Sequence, residues 1–246
     1  MNVSLAHDLG AVVWKELKEY FSGSGGRGRY LLVIIYFVFG VLVPLVTGSH
    51  DITWVTTPIP AIMYGLLLPV VLIMSVGADS FAGERERHTL ETLLASRLPD
   101  HAIFFGKLIA VAIFGWGQSL LAALVALIVI NVVYGGGPSL YPAPIAFGII
   151  IFGLLVALVA AAVSALVSLR AATVRQAQQM LSIGLVVIGF GFGLGIQALP
   201  ASIQRQLSDS NTLGLWLCVV LVALAVLFIL WGMALFRRAR LILTAS

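Results

Sequence analysis

Residues 103–134 read IFFGKLIAVAIFGWGQSLLAALVALIVINVVY. A helix crosses a bilayer with about 20 mainly apolar residues. At about 1.5 Å per residue this run is longer than a hydrocarbon core about 30 Å thick. It must tilt, bend or reach past the bilayer. Gly115 and Gly117 are bend points if it bends, and ordinary packing glycines if it does not. Strands are excluded, because barrel strands alternate apolar and polar residues and an open sheet leaves backbone groups unpaired in lipid. This run is apolar on every face.

Five further stretches read the same way, at 30–47, 59–78, 144–169, 180–199 and 213–236. Over all 246 residues, 61% are apolar and 10% charged. Soluble domains run at about 45–50% and about 25%. A mean hydropathy of +1.09 agrees. A cytosolic enzyme, a nucleic-acid-binding domain and a disordered chain are excluded. The expected fold is an all-α membrane protein with six transmembrane helices, one transmembrane domain over 1–246.

The basic residues set the expected orientation. Thirteen of the 14 Lys and Arg fall in four segments that alternate with the rest. They are Lys15, Lys18, Arg27 and Arg29; Arg85, Arg87, Arg97 and Lys107; Arg170 and Arg175; and Arg237, Arg238 and Arg240. Arg205 alone lies on the other side. Both termini are therefore expected in the cytoplasm, as an even number of spans also requires. No basic region precedes an apolar core at the N-terminus, so a cleavable signal peptide is not expected. The single cysteine, Cys218, permits no internal disulfide.

Residues 1–29 read as a cytoplasmic amphipathic helix and a Gly-rich linker. Leu5, Leu9, Val12, Val13, Leu17, Tyr20 and Phe21 share a helical face. Lys15, Glu16, Lys18 and Glu19 fall mostly opposite. Such a helix lies in the membrane interface. The linker holds a G-x-G-x-x-G match at Gly23, Gly25 and Gly28. It lacks the strand before it and the helix with a later acidic residue that a nucleotide site needs. Residues 237–246 form a cytoplasmic tail.

The polar segment 79–100, DSFAGERERHTLETLLASRLPD, interrupts this apolar chain. From Ser80 it reads as a helix. Glu84, Arg85, Glu86, Arg87, Glu91 and Arg97 alternate in sign, and Leu90, Leu93 and Leu94 form an apolar stripe. Arg87 and Glu91 have i,i+4 spacing, and Pro99 ends the helix.

Polar chemistry inside the spans is sparse. Neither H-E-x-x-H nor a serine-protease motif occurs, and no Asp or Glu stands mid-span, where a coupled carrier usually keeps one. Gln118, Asn131 and Gln197 are candidates to line a polar path, although such side chains more often bond between helices. Gly189, Gly191, Gly193 and Gly195 give two overlapping G-x-x-x-G registers, suited to helix packing or a dimer seam. Ala157, Ala161 and Ala165 repeat the spacing in the fourth span. Leu199, Ile203 and Leu207 suggest a short helix, or a plain loop, at the outer surface.

Segment 79–107 resembles the ATP-binding-cassette exporter permeases of the type-2 class. Their pattern is E-R-E-x-G-T-L-E-x-L-L, a Pro-containing turn, then G-K entering the third span. It stands here as Glu84-Arg85-Glu86-Arg87-His88-Thr89-Leu90-Glu91-Thr92-Leu93-Leu94, Pro99 and Gly106-Lys107. His88 occupies the place of the family's Gly, and Pro99 comes slightly late. The six spans, the interfacial helix ending W-K-E-L-K-E-Y-F and both ends inside agree along the chain.

The resemblance implies a permease subunit of the plasma membrane, the bacterial inner membrane. It forms half of a twelve-span pore with a second permease chain, as a homo- or heterodimer. Segment 79–100 is then a coupling helix that docks on a separate ABC ATPase through Glu84, Arg85, Glu86, Arg87, Thr89 and Glu91. ATP and Mg belong to that partner. No catalytic, cofactor or metal site is expected in this chain, and its other partner is membrane lipid, not nucleic acid. The competing readings are a non-transporting scaffold or sensor that recruits a soluble partner through 79–100, and a six-span channel.

Overall fold

The computed structural model of the protein describes residues 2–22, 32–47, 52–89, 99–134, 139–198 and 210–236. Side-chain surroundings are described for these residues except 2–6, 22, 52–53, 188–198 and 210–216. Regular structure among the described residues is helical throughout, without strands. We label the helices α1 (Asn2–Ser22), α2 (Leu32–Thr47), α3 (Ala61–Glu86), α4 (Asp100–Val133), α5 (Ala143–Arg170), α6 (Val174–Ala198) and α7 (Ser210–Leu235). Ala61–Glu86, Asp100–Val133, Ala143–Arg170 and Leu217–Leu235 are long and apolar enough to cross a membrane. Leu32–Thr47 is apolar but shorter. The 103–134 run is thus one continuous helix, with Gly115 close against Ile73 rather than at a break.

Small residues set the packing. Helices α3 and α5 cross where Gly77 faces Ser164, and a Cβ on Gly77 would overlap the serine hydroxyl. Ala157, Ala161 and Ala165 are buried in the same seam. Close backbone approach through small residues is how helices associate in lipid, where apolar side chains gain nothing by leaving the solvent. Three apolar clusters lie among the described residues, the smallest of them Ala78, Ala82, Ala171, Ala177 and Leu181. A second gathers Phe81, Phe104 and Phe236, with ring centroids 5.5–6.3 Å apart. The third gathers Trp54, Tyr64, Leu68 and Ile130.

Among the described residues three helices contain a π-helical turn, at Tyr36–Leu42 in α2, Ala61–Leu67 in α3 and Gly148–Phe152 in α5. A widened turn disturbs the i→i−4 ladder, and in lipid no water is present to bond the carbonyls it frees. Neighbouring side chains do so instead. Tyr64 Oη donates to the Phe39 carbonyl at 2.6 Å. Ser119 Oγ donates to the Tyr64 carbonyl. Trp116 Nε1 donates to the Ile150 carbonyl at 3.0 Å.

In helix α1 one residue departs from the expected faces. Trp14 is 71% exposed, but Glu16 is only 3% exposed. Glu16 therefore lies on the packed face with Val12 and Tyr20, not on the polar face. The stripe Val12–Glu16–Tyr20 has i,i+4 spacing and rests against α4. Gly106 admits it, since a Cβ there would sit 2.5 Å from a Val12 methyl. Tyr20 and Phe21 both meet the edge or face of Phe114, at 5.6 and 5.5 Å.

Candidate functional site

The polar segment after the second apolar run does not begin a new helix at Ser80. Helix α3 continues unbroken to Glu86 and ends in a defined turn. His88 N–H donates to the Arg85 carbonyl at 3.2 Å and Thr89 N–H to the Glu84 carbonyl at 2.9 Å. These two bonds, with His88 in the left-handed region at φ 55°, form a Schellman C-cap. Glycine is the usual occupant of that position because a side chain there is strained. His88 occupies it here.

Four consecutive charged residues close α3, and each grips a different element. Successive helical positions turn by about 100°, so four in a row sweep the whole circumference. Glu84 points to α4. Its Oε1 lies 2.7 Å from Nζ of Lys107. Arg85 points to the end of α5, with Nη1 donating to the Ala171 carbonyl and Nη2 to that of Leu169 at 3.1 Å. Glu86 Oε1 accepts from the Val174 N–H, the first of α6, at 2.9 Å. Arg87 reaches Asp79 of its own helix at 2.6 Å and Glu19 of α1 at 3.8 Å.

Lys107 is the centre of this arrangement. It is 1% exposed and donates to Glu84 and, at 2.9 Å, to Glu16 of α1. Its ammonium also lies 5.6 Å from the Phe81 ring centroid. Lys15 adds a second cation, 3.1 Å from Glu16 and 3.6 Å from Glu84. Two carboxylates and two ammonium groups balance in formal charge, the condition under which buried charge is tolerated. Burial pushes the Glu16 carboxyl up, but Lys107 and Lys15 outweigh it and leave its pKa below the usual value. Burial pushes Lys15 down, and the three nearby carboxylates leave it raised. Glu84 Oε2 is buried with no hydrogen-bond partner among the described residues.

Ser168 of α5 ties the same end of α3 by its backbone. Its hydroxyl donates to the Ala78 carbonyl at 2.8 Å and accepts from the N–H groups of Phe81 and Ala82 at 3.0 and 2.9 Å. Thr173 starts α6, with Oγ1 accepting the Gln176 N–H at 3.1 Å while the Gln176 side chain accepts from Ala172 N–H at 2.9 Å. That is the reciprocal pattern of a capping box, shifted by one donor. The end of α3 is thereby bonded to α1, α4, α5 and α6 together.

The family model of the ABC-2 type transporter matches residues 7–209. The chain belongs to the ABC-2 type transporter family. No curated protein matches it. As an ABC-2 transporter chain it is a membrane-spanning permease, of a family that usually works with an ABC ATPase.

Within this ABC-2 permease, the sequence-predicted residues divide by surroundings. Glu84, Arg85, Glu86 and Arg87 are brought together at one helix end, all in intramolecular bonds. Glu84 is buried and Arg85 half-buried, whereas Glu86, Arg87, His88 and Thr89 are exposed. Glu91, with Leu90, Leu93, Leu94 and Arg97, lies outside the described residues. Gln118 is buried and accepts a hydrogen bond from the Tyr36 hydroxyl, joining α4 to α2. Asn131 closes the α4–α5 connection. Its amide donates to the Leu127 and Ser139 carbonyls at 2.8 and 2.9 Å and its oxygen accepts from Ser139 N–H at 2.7 Å. Gly189, Gly191, Gly193, Gly195 and Gln197 fall on the helical backbone of α6, outside the described side chains. Leu199, Ile203 and Leu207 are outside the described residues.

Sequence reasoning named Glu16 and Lys107 without pairing them, and passed over Ser168. Lys107 carried a signal: an ionisable residue inside an apolar run calls for a named partner. Glu16 carried none, because its partner stands 91 positions away.

Proposed function

We propose that this ABC-2 permease is half of a twelve-span exporter pore, with six spans per chain and both termini in the cytoplasm of the bacterial inner membrane. A separate ATPase subunit binds ATP and Mg, and two permease chains assemble with it. The end of α3 and the segment through residue 100 form the coupling element. Within it the six residues have different tasks. Arg87 and Thr89, exposed at the tip, with Glu91, meet the ATPase. Glu84, Arg85 and Glu86 pass the resulting movement to α4, α5 and α6. The four separate grips of residues 84–87 carry this reading, since a docking loop without them would move alone.

The test uses the permease co-expressed with its cognate ATPase. Arg87→Glu and Thr89→Asp are expected to reduce ATPase recovery on affinity purification. Glu84→Gln should leave recovery intact while lowering transport per ATP hydrolysed. Full recovery and full transport in all three variants would overturn the assignment.

A further inference from the structure

A furrow is bounded by α3, α5, α6 and α7. Its deep part is a cavity of about 330 Å³ bounded by apolar side chains, among them Met74, Val163, Val167, Met180 and Leu221. A second hollow of about 290 Å³ shares Val163, Val167 and Met180 with it and ends at Arg170 and Trp231. The two together make one apolar channel, and among the described residues that line it Arg170 is the one basic residue. Each lies near the low end of small-ligand pockets, roughly 300–1,000 Å³.

Among the described residues, no hydrogen bond engages the Arg170 side chain. A basic residue in a last helical turn ordinarily serves the terminal carbonyls. Here Arg85 already bonds those of Leu169 and Ala171. No carboxylate among the described residues lies within ion-pair distance of Arg170. Its guanidinium instead rests 5.4 Å from the Trp231 ring centroid, and both side chains are exposed. Arginine with tryptophan at a helix end marks the level of lipid headgroups. A basic pocket between spanning helices at the cytoplasmic side suits an anionic headgroup.

We propose that this furrow binds an anionic phospholipid of the leaflet at that end, its headgroup phosphate on Arg170 and an acyl chain along the apolar cavity. The phosphate supplies the anion Arg170 lacks, and the chain fills space that water cannot occupy favourably. The site is independent of any ATPase partner.

The purified chain in detergent is incubated with phosphatidylglycerol or with phosphatidylcholine of the same acyl chains, and bound lipid is counted by native mass spectrometry. Phosphatidylglycerol should be retained in excess. Arg170→Gln should cut that excess about fivefold, the gain one basic residue gives near a membrane surface, and Arg170→Lys should keep most of it. Gly184→Leu fills the channel, because a Cβ at Gly184 meets nothing within 4 Å. It should lower binding of both lipids without loss of the folded, monodisperse peak. An unchanged excess in Arg170→Gln overturns the headgroup assignment. Unchanged lipid counts in Gly184→Leu overturn the channel, as does a change of oligomeric state with lipid retained, which would mean that a second copy covers it.

Discussion

Nζ of Lys107 stands 2.7 Å from Oε1 of Glu84, and the same ammonium holds Glu16 of the N-terminal helix at 2.9 Å. One buried cation thereby fixes the end of α3 and the position of α1 relative to α4. Desolvating such a group is costly, so its partners must be present together.

Replacing Lys107 by Met leaves two buried carboxylates with only the half-exposed Lys15 between them. The expected loss of stability is about 3–5 kcal/mol, the cost of breaking a buried pair from one side. The triple variant Glu16→Gln, Glu84→Gln, Lys107→Met should recover much of it. Thermal unfolding in detergent measures both, and a triple variant as unstable as the single one would refute the charge-balance account.

Acidification should release α1. The pKa of Glu16 is lowered on folding from 4.5. Its contribution is therefore fully present above about 4.5 and is lost as pH falls through the lower folded value. A cross-link between cysteines placed at Phe21 of α1 and Phe114 of α4, whose rings meet at 5.5 Å, should decline in yield over that window. Glu16→Gln should show no such decline there.

His88→Gly should stabilise the protein. The left-handed conformation costs a side-chain-bearing residue about 1–2 kcal/mol, partly offset by glycine's freedom in the unfolded chain. A net gain of about 1 kcal/mol is expected in the unfolding midpoint. His88→Val should lose more than it gains.

Tyr64→Phe removes the donor to the Phe39 carbonyl at a fully buried site. A cost of about 1–3 kcal/mol is expected for the unpaired group. Hydrogen exchange at α2 amides should accelerate in this variant, while that at α5 amides stays unchanged.

The apolar runs were readable because lipid demands long, uninterrupted stretches, and the ends of α4 and α5 fall within a few residues of the sequence reading. The small-residue spacing of Ala157, Ala161 and Ala165 was likewise visible and is buried as packing requires. The boundary of α3 was not, because a charged run at the end of a span resembles a separate surface helix. Only the grips of Arg85 and Glu86 on distant backbone distinguish the two. His88 was visible as an oddity, and its φ of 55° supplies the reason. Thr173 and Gln176 spelled a helix start that went unread. The π turns left no trace, since a run apolar on every face carries no phase information.

The π turn at Ala61–Leu67 has a consequence about twenty residues away. A widened turn absorbs one residue more than a regular α-helix would. Wound as a plain helix, α3 would deliver each residue beyond it about 100° out of rotation and about 1.5 Å displaced. Glu84 would then stand where Arg85 stands, a carboxylate against the carbonyls that end α5. Deleting one residue inside Ala61–Leu67 leaves the angular setting of the charged end intact, whereas deleting one between 70 and 76 spoils it. The far end of the helix keeps time for the near one.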